Sequence, residues 1–225
     1  MGTAAMLRAA GVGLGDEVVM PAFGNVEVAE AVTRAGALPA FADVDPVTYC
    51  LDPDAVRAAI TPRTAAVVAV HRFGRPADTG RLYELGQLHG LLVLEQAESE
   101  APYGEVAQRR ERAAYLDARL RGLRTPDGGD GHTYQQYVVR VPGNGRPDRD
   151  AFARALRGRG VDCRVPVKTP LHRLPEFRRF ISLPQTELAA DETLALPVDA
   201  SLTKRDMQRM VSACNALGGL LQPAF

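Results

Sequence analysis

The feature that most constrains this chain is an alternation in its first hundred residues. Short apolar runs at residues 16–20 (DEVVM), 38–42, 65–70 and 91–95 (LLVLE) are separated by longer stretches bounded by glycine, aspartate and proline. Apolar runs this short, flanked by turn residues, read as buried strands rather than helices. The stretches between them carry helix punctuation. Residues 25–35 stop at Gly36, Asp52-Pro53 opens a helix through residue 60, and Asp78 opens another that closes near His89-Gly90. Aspartate caps the free N–H groups of a first turn, proline fits that turn, and glycine ends a helix in the left-handed region. Strand, helix and strand in this rhythm predict a parallel α/β sheet.

Beyond residue 104 the rhythm changes. Residues 105–123 read as one amphipathic helix, with Leu116, Leu120 and Leu123 on one face, followed by a TPDGGDG loop. Strands are expected at 134–141 and 161–165, with a helix at 148–159 between them. A last helix begins at Thr203, with Asp206 three residues on, and shows an apolar face of Met207, Met210, Val211, Cys214 and Leu217. Reciprocal capping of this kind marks a helix start. The expected layout is a large α/β domain at 1–104, a connecting helix at 105–124 and a small α+β domain at 125–225.

Composition closes off several classes. Lys+Arg and Asp+Glu each total 27, so no global field favours nucleic acid. No apolar run approaches the roughly 18 residues that a membrane helix needs, and no secretory leader pattern opens the sequence. Cys50, Cys163 and Cys214 stand far apart, without metal or redox spacing, which points to reduced thiols in a cytoplasmic setting. Lysine is scarce: Lys168 and Lys204 are the two in the chain. Any chemistry that needs an amine side chain has these two candidates.

The runs GTAAMLRAAGVGLGDEVVMPAF, EAVTRAGALPAFADVDP, LDPDAVRAAITPRTAAVVAVHRFGRPAD and HGLLVLEQA closely resemble the DegT/StrS sugar aminotransferases. So do YQQYVVRV, RGVDCRVPVKTPLHRLPEF and LALPVDASLT. The resemblance implies a fold-type-I scaffold for pyridoxal phosphate. In that family a lysine anchors the cofactor, an aspartate holds the ring nitrogen protonated, an aromatic ring stacks on it, and a Gly-Thr helix start receives the phosphate. Here Gly2-Thr3 matches. The aspartate position is Gln96 and the stacking position is Asn25. The lysine-bearing segment is missing, because Tyr103-Gly104-Glu105 runs straight into the long helix.

Measured against the family's seven-stranded sheet, the first, sixth and seventh strands have no counterpart. The remaining four would be contiguous, in family order 3-2-4-5, forming a shortened, mostly parallel sheet. The strand at 91–95 then becomes an edge with unpaired N–H and C=O groups, which a second copy of the chain is expected to cover. The family position also carries new charges at strand ends, where open α/β sheets bind ligands. These charges are Glu27, Arg72, Arg75, Glu98 and Glu100, while His71 resembles the family's strand-end histidine and His172 and Lys168 lie in a loop that borders its substrate site. The expected catalytic groups are Glu98, Glu100, His71 and Glu27, and the expected substrate contacts are Gln96, Asn25, Arg72, His172 and Lys168. No cofactor and no metal are expected. The leading functional expectation is a pyridoxal-phosphate-independent enzyme. It would perform acid–base cyclisation, isomerisation or elimination on a small natural-product or sugar intermediate. The alternatives are a non-catalytic binding or partner subunit, and a residual pyridoxal-phosphate aminotransferase.

Overall fold

The computed structural model describes residues 2–97, 105–129, 131–142 and 148–218. Among these are eight α-helices and six strands, grouped into two compact units. The first unit holds residues 1–99 and 169–187; the second holds 100–168 and 188–225. Residues 169–187 thus join the first unit, where the sequence layout assigns them to the C-terminal domain. The helix expected to connect the two domains lies within the second unit.

In the first unit, β1 (Glu17–Pro21), β2 (Leu38–Ala42), β3 (Thr64–His71) and β4 (Leu92–Ala97) form one sheet in the order β2-β1-β3-β4. Every pairing is parallel. The pleat sends successive side chains to opposite faces, and the core divides accordingly. Val18, Met20, Ala66, Val68 and Val70 point to one face, under α1 (Thr3–Ala9) and α2 (Val26–Ala35). Val19, Val67 and Ala69 point to the other, under α3 (Pro53–Ala59) and α4 (Thr79–His89). Leu171, Phe177 and Leu183 complete the first face from the returning segment. β3 lies between two neighbours and is almost wholly buried, whereas the β4 residues are only half-buried or exposed. At about 25 cal/mol per Å² of apolar surface, each fully buried Val or Leu contributes roughly 1.5–3 kcal/mol, so most of the sheet's stabilisation sits at its centre.

The second unit contains α5 (Val106–Asp117), β5 (Tyr137–Arg140), α6 (Asp148–Gly158), part of α7 (Pro184–Glu192), β6 (Thr193–Leu196) and α8 (Lys204–Gly218). β5 and β6 pair antiparallel. Residues 161–165, read from sequence as a strand, make a single bridge from Arg164 to Ala195. Their alternation arises because Val161 and Cys163 are buried while Asp162 and Arg164 are exposed, without a ladder. The helix read as 105–123 ends at Asp117. Leu120 still reaches the core, because the chain continues in turn geometry with the N–H of Leu120 donating to the carbonyl of Leu116 at 2.8 Å. α8 begins as its sequence implies. The Thr203 hydroxyl and Asp206 carboxylate bond at 2.6 Å, and each side chain also accepts the other's backbone N–H. Tyr137 anchors this core and donates its hydroxyl to Asp117 Oδ1 at 2.5 Å. Burial raises the pKa of both groups.

Two tests follow from this packing. A Cβ at Gly86 of α4 would stand 2.6 Å from Val93 Cγ2 and 3.1 Å from the Leu91 carbonyl, so glycine lets the helix sit against β4. Gly86→Ala should cost about 1–3 kcal/mol in urea unfolding through overpacking; a loss below about 0.5 kcal/mol would show that α4 has room to move. Glu17 accepts the Thr61 hydroxyl at 2.6 Å and pairs with Arg63. The hydrogen bond from Thr61, then Arg63, hold its pKa below the ordinary 4.5, against the opposing effect of burial. A lowered folded pKa contributes stability that is complete above the ordinary value and vanishes as pH falls through the folded value. Glu17→Gln should therefore melt below the parent at pH 7, and the gap should close on acidification below about pH 4. A gap unchanged down to pH 3 would remove Glu17 from the acid response.

Candidate functional site

The carboxyl ends of parallel strands converge on one edge of the first unit, and most of the expected site residues lie there. His71 ends β3. Its Nδ1 accepts the Ala77 N–H at 3.0 Å, which requires a lone pair there and places the ring proton on Nε2. Nε2 in turn stands 3.2 Å from Glu95 Oε2, and Glu95 Oε1 accepts the Tyr83 hydroxyl at 2.9 Å. The hydrogen bond to Glu95 is the main reason the Tyr83 pKa is raised. With both nitrogens engaged, His71 has no idle lone pair for a substrate proton. It is held as an oriented donor.

Gln96, on the opposite face of β4 from Glu95, accepts the Thr3 hydroxyl at 2.8 Å through Oε1 and donates through Nε2 to the Ala97 carbonyl at 3.1 Å. Asn25 has a local reason for its identity. It sits at φ 64° in the left-handed region, which asparagine tolerates, and its Oδ1 accepts the Val28 N–H at 3.2 Å to cap α2. Glu27 is exposed on the first turn of α2.

Arg72 is 2% exposed, the opposite of a solubilising surface charge. Its guanidinium lies 4.6 Å from the Phe73 ring centroid and 5.3 Å from that of Phe23. Phe23, Tyr49 and Phe73 pack with centroids 5.7–6.1 Å apart, and Tyr49 and Phe73 both take positive φ to do so. A desolvated guanidinium over aromatic faces gains about 2 kcal/mol, which offsets part of its burial.

His172 is buried at 2% exposure on the returning segment. Its Nε2 lies 3.2 Å from Glu187 Oε1, while Arg173 pairs with Glu187 Oε2 at 2.8 Å. The His172 hydrogen bond and then Arg173 pull the Glu187 pKa down, although burial, the largest single influence, acts the other way. The segment is fastened to the sheet: the Leu171 N–H donates to the Ala22 carbonyl at 2.8 Å, and Asp43 accepts the N–H groups of Gln185 and Thr186 at 3.0 and 2.7 Å. Lys168 is exposed and belongs to the second unit. Glu98 and Glu100 lie outside the described residues.

Sequence reasoning overlooked Glu95, Tyr83, Asp43 and Glu187. Glu95 left one signal, a carboxylate inside an otherwise apolar strand run next to a strand that ends in histidine.

The arrangement can be tested against pyridoxal phosphate. The ring nitrogen and the phosphate of that molecule are set several bonds apart, so groups that grip both must stand apart. Here the two residues at those positions, Gln96 and Thr3, bond directly to each other. Residues 1–99 and 169–187 contain no lysine. The residues of this unit therefore do not fit the cofactor on their own.

Comparison with known proteins gives the broader context. The sequence model of the DegT/DnrJ/EryC1/StrS aminotransferase family matches residues 1–101 and 103–215. An L-glutamine:2-deoxy-scyllo-inosose aminotransferase of Streptomyces kanamyceticus is 50% identical over 97 residues, which is 42% of this chain and 23% of that protein. GDP-perosamine synthase of Caulobacter vibrioides is 32% identical over 201 residues, 84% of this chain and 50% of that protein. The aligned chain thus spans a quarter to a half of these relatives' length. Among solved structures, the aminotransferase TlmJ from Streptoalloteichus hindustanus superposes with a TM-score of 0.85 at 26% identity, over 97% of this chain and 84% of that one.

The His71 geometry predicts a specific tautomer. Nitrogen–proton correlation on histidine-labelled protein near pH 8 should show His71 protonated at Nε2 alone. Glu95→Gln should shift its Nε2 resonance without exchanging the tautomer. A proton on Nδ1 would contradict the bond from Ala77.

Proposed function

Since the chain belongs to the DegT/DnrJ/EryC1/StrS aminotransferase family, we propose that it serves amino-group transfer to the keto carbon of a small sugar or cyclitol. The cofactor-anchoring lysine would come from a partner polypeptide. The 50% identity to a 2-deoxy-scyllo-inosose aminotransferase carries this reading. It replaces the expectation of a pyridoxal-phosphate-independent acid–base enzyme, which is overturned by relatives named as scyllo-inosose and sugar aminotransferases. Two of the residues that motivated that expectation are engaged within the protein. Arg72 packs into an aromatic cluster, and His71 is held between Glu95 and Ala77.

The partner is part of the proposal because the first unit has no lysine and its Thr3–Gln96 bond closes the matching positions. The working assembly holds at least two chains of this fold. A second copy would cover the half-exposed β4 edge, and an unlike family member would add the lysine. A cytoplasmic, reducing setting agrees with Cys50, Cys163 and Cys214, all buried as free thiols. No helix among the described residues is long and apolar enough to cross a membrane.

The test is an amino-transfer assay from L-glutamine to 2-deoxy-scyllo-inosose with pyridoxal phosphate, read by mass spectrometry of the amine product. The chain alone should give no product and no borohydride-trapped cofactor. Mixed with a full-length relative, it should co-elute and raise that relative's turnover several-fold. Turnover by the chain alone would show that Lys168 or Lys204 suffices. No co-elution and no change in rate would remove the partner role.

A further inference from the structure

The second unit contains a cavity of its own, of about 110 Å³, walled by α5, the residues before β5, residues 162–164 and the strand end at 195–199. It has room for several water-sized groups. Its lining is more polar than apolar in character. Arg109 of α5 stands in the wall, joined by Gln136, Asp162, Arg164 and Asp199, over a floor that includes the buried Leu196.

The charges are layered. The Arg109 side chain is 12% exposed and gives Nη2 to Glu105 at 2.7 Å, while its Nε and Nη1 are buried and meet no acceptor among the described residues. One turn along α5, Arg112 donates Nη2 to the carbonyls of Ala200 and Leu202 at 2.9 and 3.2 Å, and its Nη1 also lacks an acceptor. A buried N–H left unpaired costs roughly 1–3 kcal/mol, and more when the group is charged. At the mouth the balance reverses: Asp162 and Asp199 are exposed, opposed there by the single cation Arg164. The Ser201 hydrogen bond is the first of the influences that hold the Asp199 pKa low, and the Arg112 charge adds to it.

Arg109 in the wall, with the exposed carboxylates of Asp162 and Asp199 in the same lining, selects a particular molecule. A dianion such as phosphate is repelled at the mouth, and a plain cation is repelled at Arg109. We propose that this cavity binds a small carboxylate bearing a hydrogen-bond donor on the adjacent carbon, an α-amino or α-hydroxy acid. The carboxylate meets Arg109, and the amino or hydroxyl group meets Asp162 or Asp199. Charge-assisted bonds between guanidinium and carboxylate are the stronger kind and fix orientation. The site is independent of the amino-transfer reading, because every residue in it belongs to the second unit.

Calorimetric titration of the whole chain with L-alanine, L-lactate, acetate and inorganic phosphate tests the assignment. L-alanine or L-lactate should bind about tenfold or more tightly than acetate, and phosphate should bind most weakly. The ratio of the first two identifies the amino or the hydroxy acid. Arg109→Gln should abolish the binding. Asp162→Asn and Asp199→Asn change exposed residues and keep the test alive if Arg109→Gln fails to fold; one of them should bring the tighter-binding of L-alanine and L-lactate down to the affinity of acetate. Phosphate binding tightest, acetate matching the substituted acids, no heat from any of the four, or full affinity in both folded aspartate variants would each overturn the site.

Discussion

A parallel sheet cannot leave a face in water, because the crossover connections that make it parallel also cover it, and its strands are apolar on both sides. The first unit obeys this requirement at its centre, while β4 at the edge is only half-buried or exposed. β3 pairs on both edges and buries both faces, two helices cover each side, and the remaining gap on one face is filled from a distant part of the sequence. The positions of Thr3, His71, Gln96 and His172 are set by this covering. Thr3 starts a covering helix, His71 and Gln96 lie at or near strand ends, and His172 rides on the segment that fills the gap.

Much of that scaffold was legible in sequence because each element is specified locally. Asp52, Asp78 and Thr203 all begin helices through their own side chains, and Gly36 and Gly90 end them at positive φ. The errors came where two structures share one pattern. Residues 161–165 alternate buried and exposed as a strand does, yet form one bridge. Leu120 keeps helical spacing after the helix has ended. Neither distinction exists in hydrophobic periodicity, which records burial and not hydrogen bonding.

The site was less legible, for a different reason. Its interactions join residues far apart in sequence, such as Thr3 with Gln96 and Asp43 with Gln185 and Thr186. Family resemblance named several of the positions but assigned them roles from relatives, whereas this chain gives some of them local work. Asn25 caps a helix, and Arg72 is a buried partner of aromatic rings. A substitution that looks like a changed ligand can be an answer to backbone geometry.

The returning segment also has a consequence for synthesis. Residues 169–187 supply Leu171, Phe177 and Leu183 to a sheet whose last strand ends at Ala97. A ribosome must therefore make most of the second unit before the first can bury that face. During that interval the nascent sheet carries an uncovered apolar surface and an open β4 edge, the two features most prone to capture by other chains. For this protein the vulnerable time is during translation, when a holding chaperone or the pace of passage through residues 100–168 would bear on its yield.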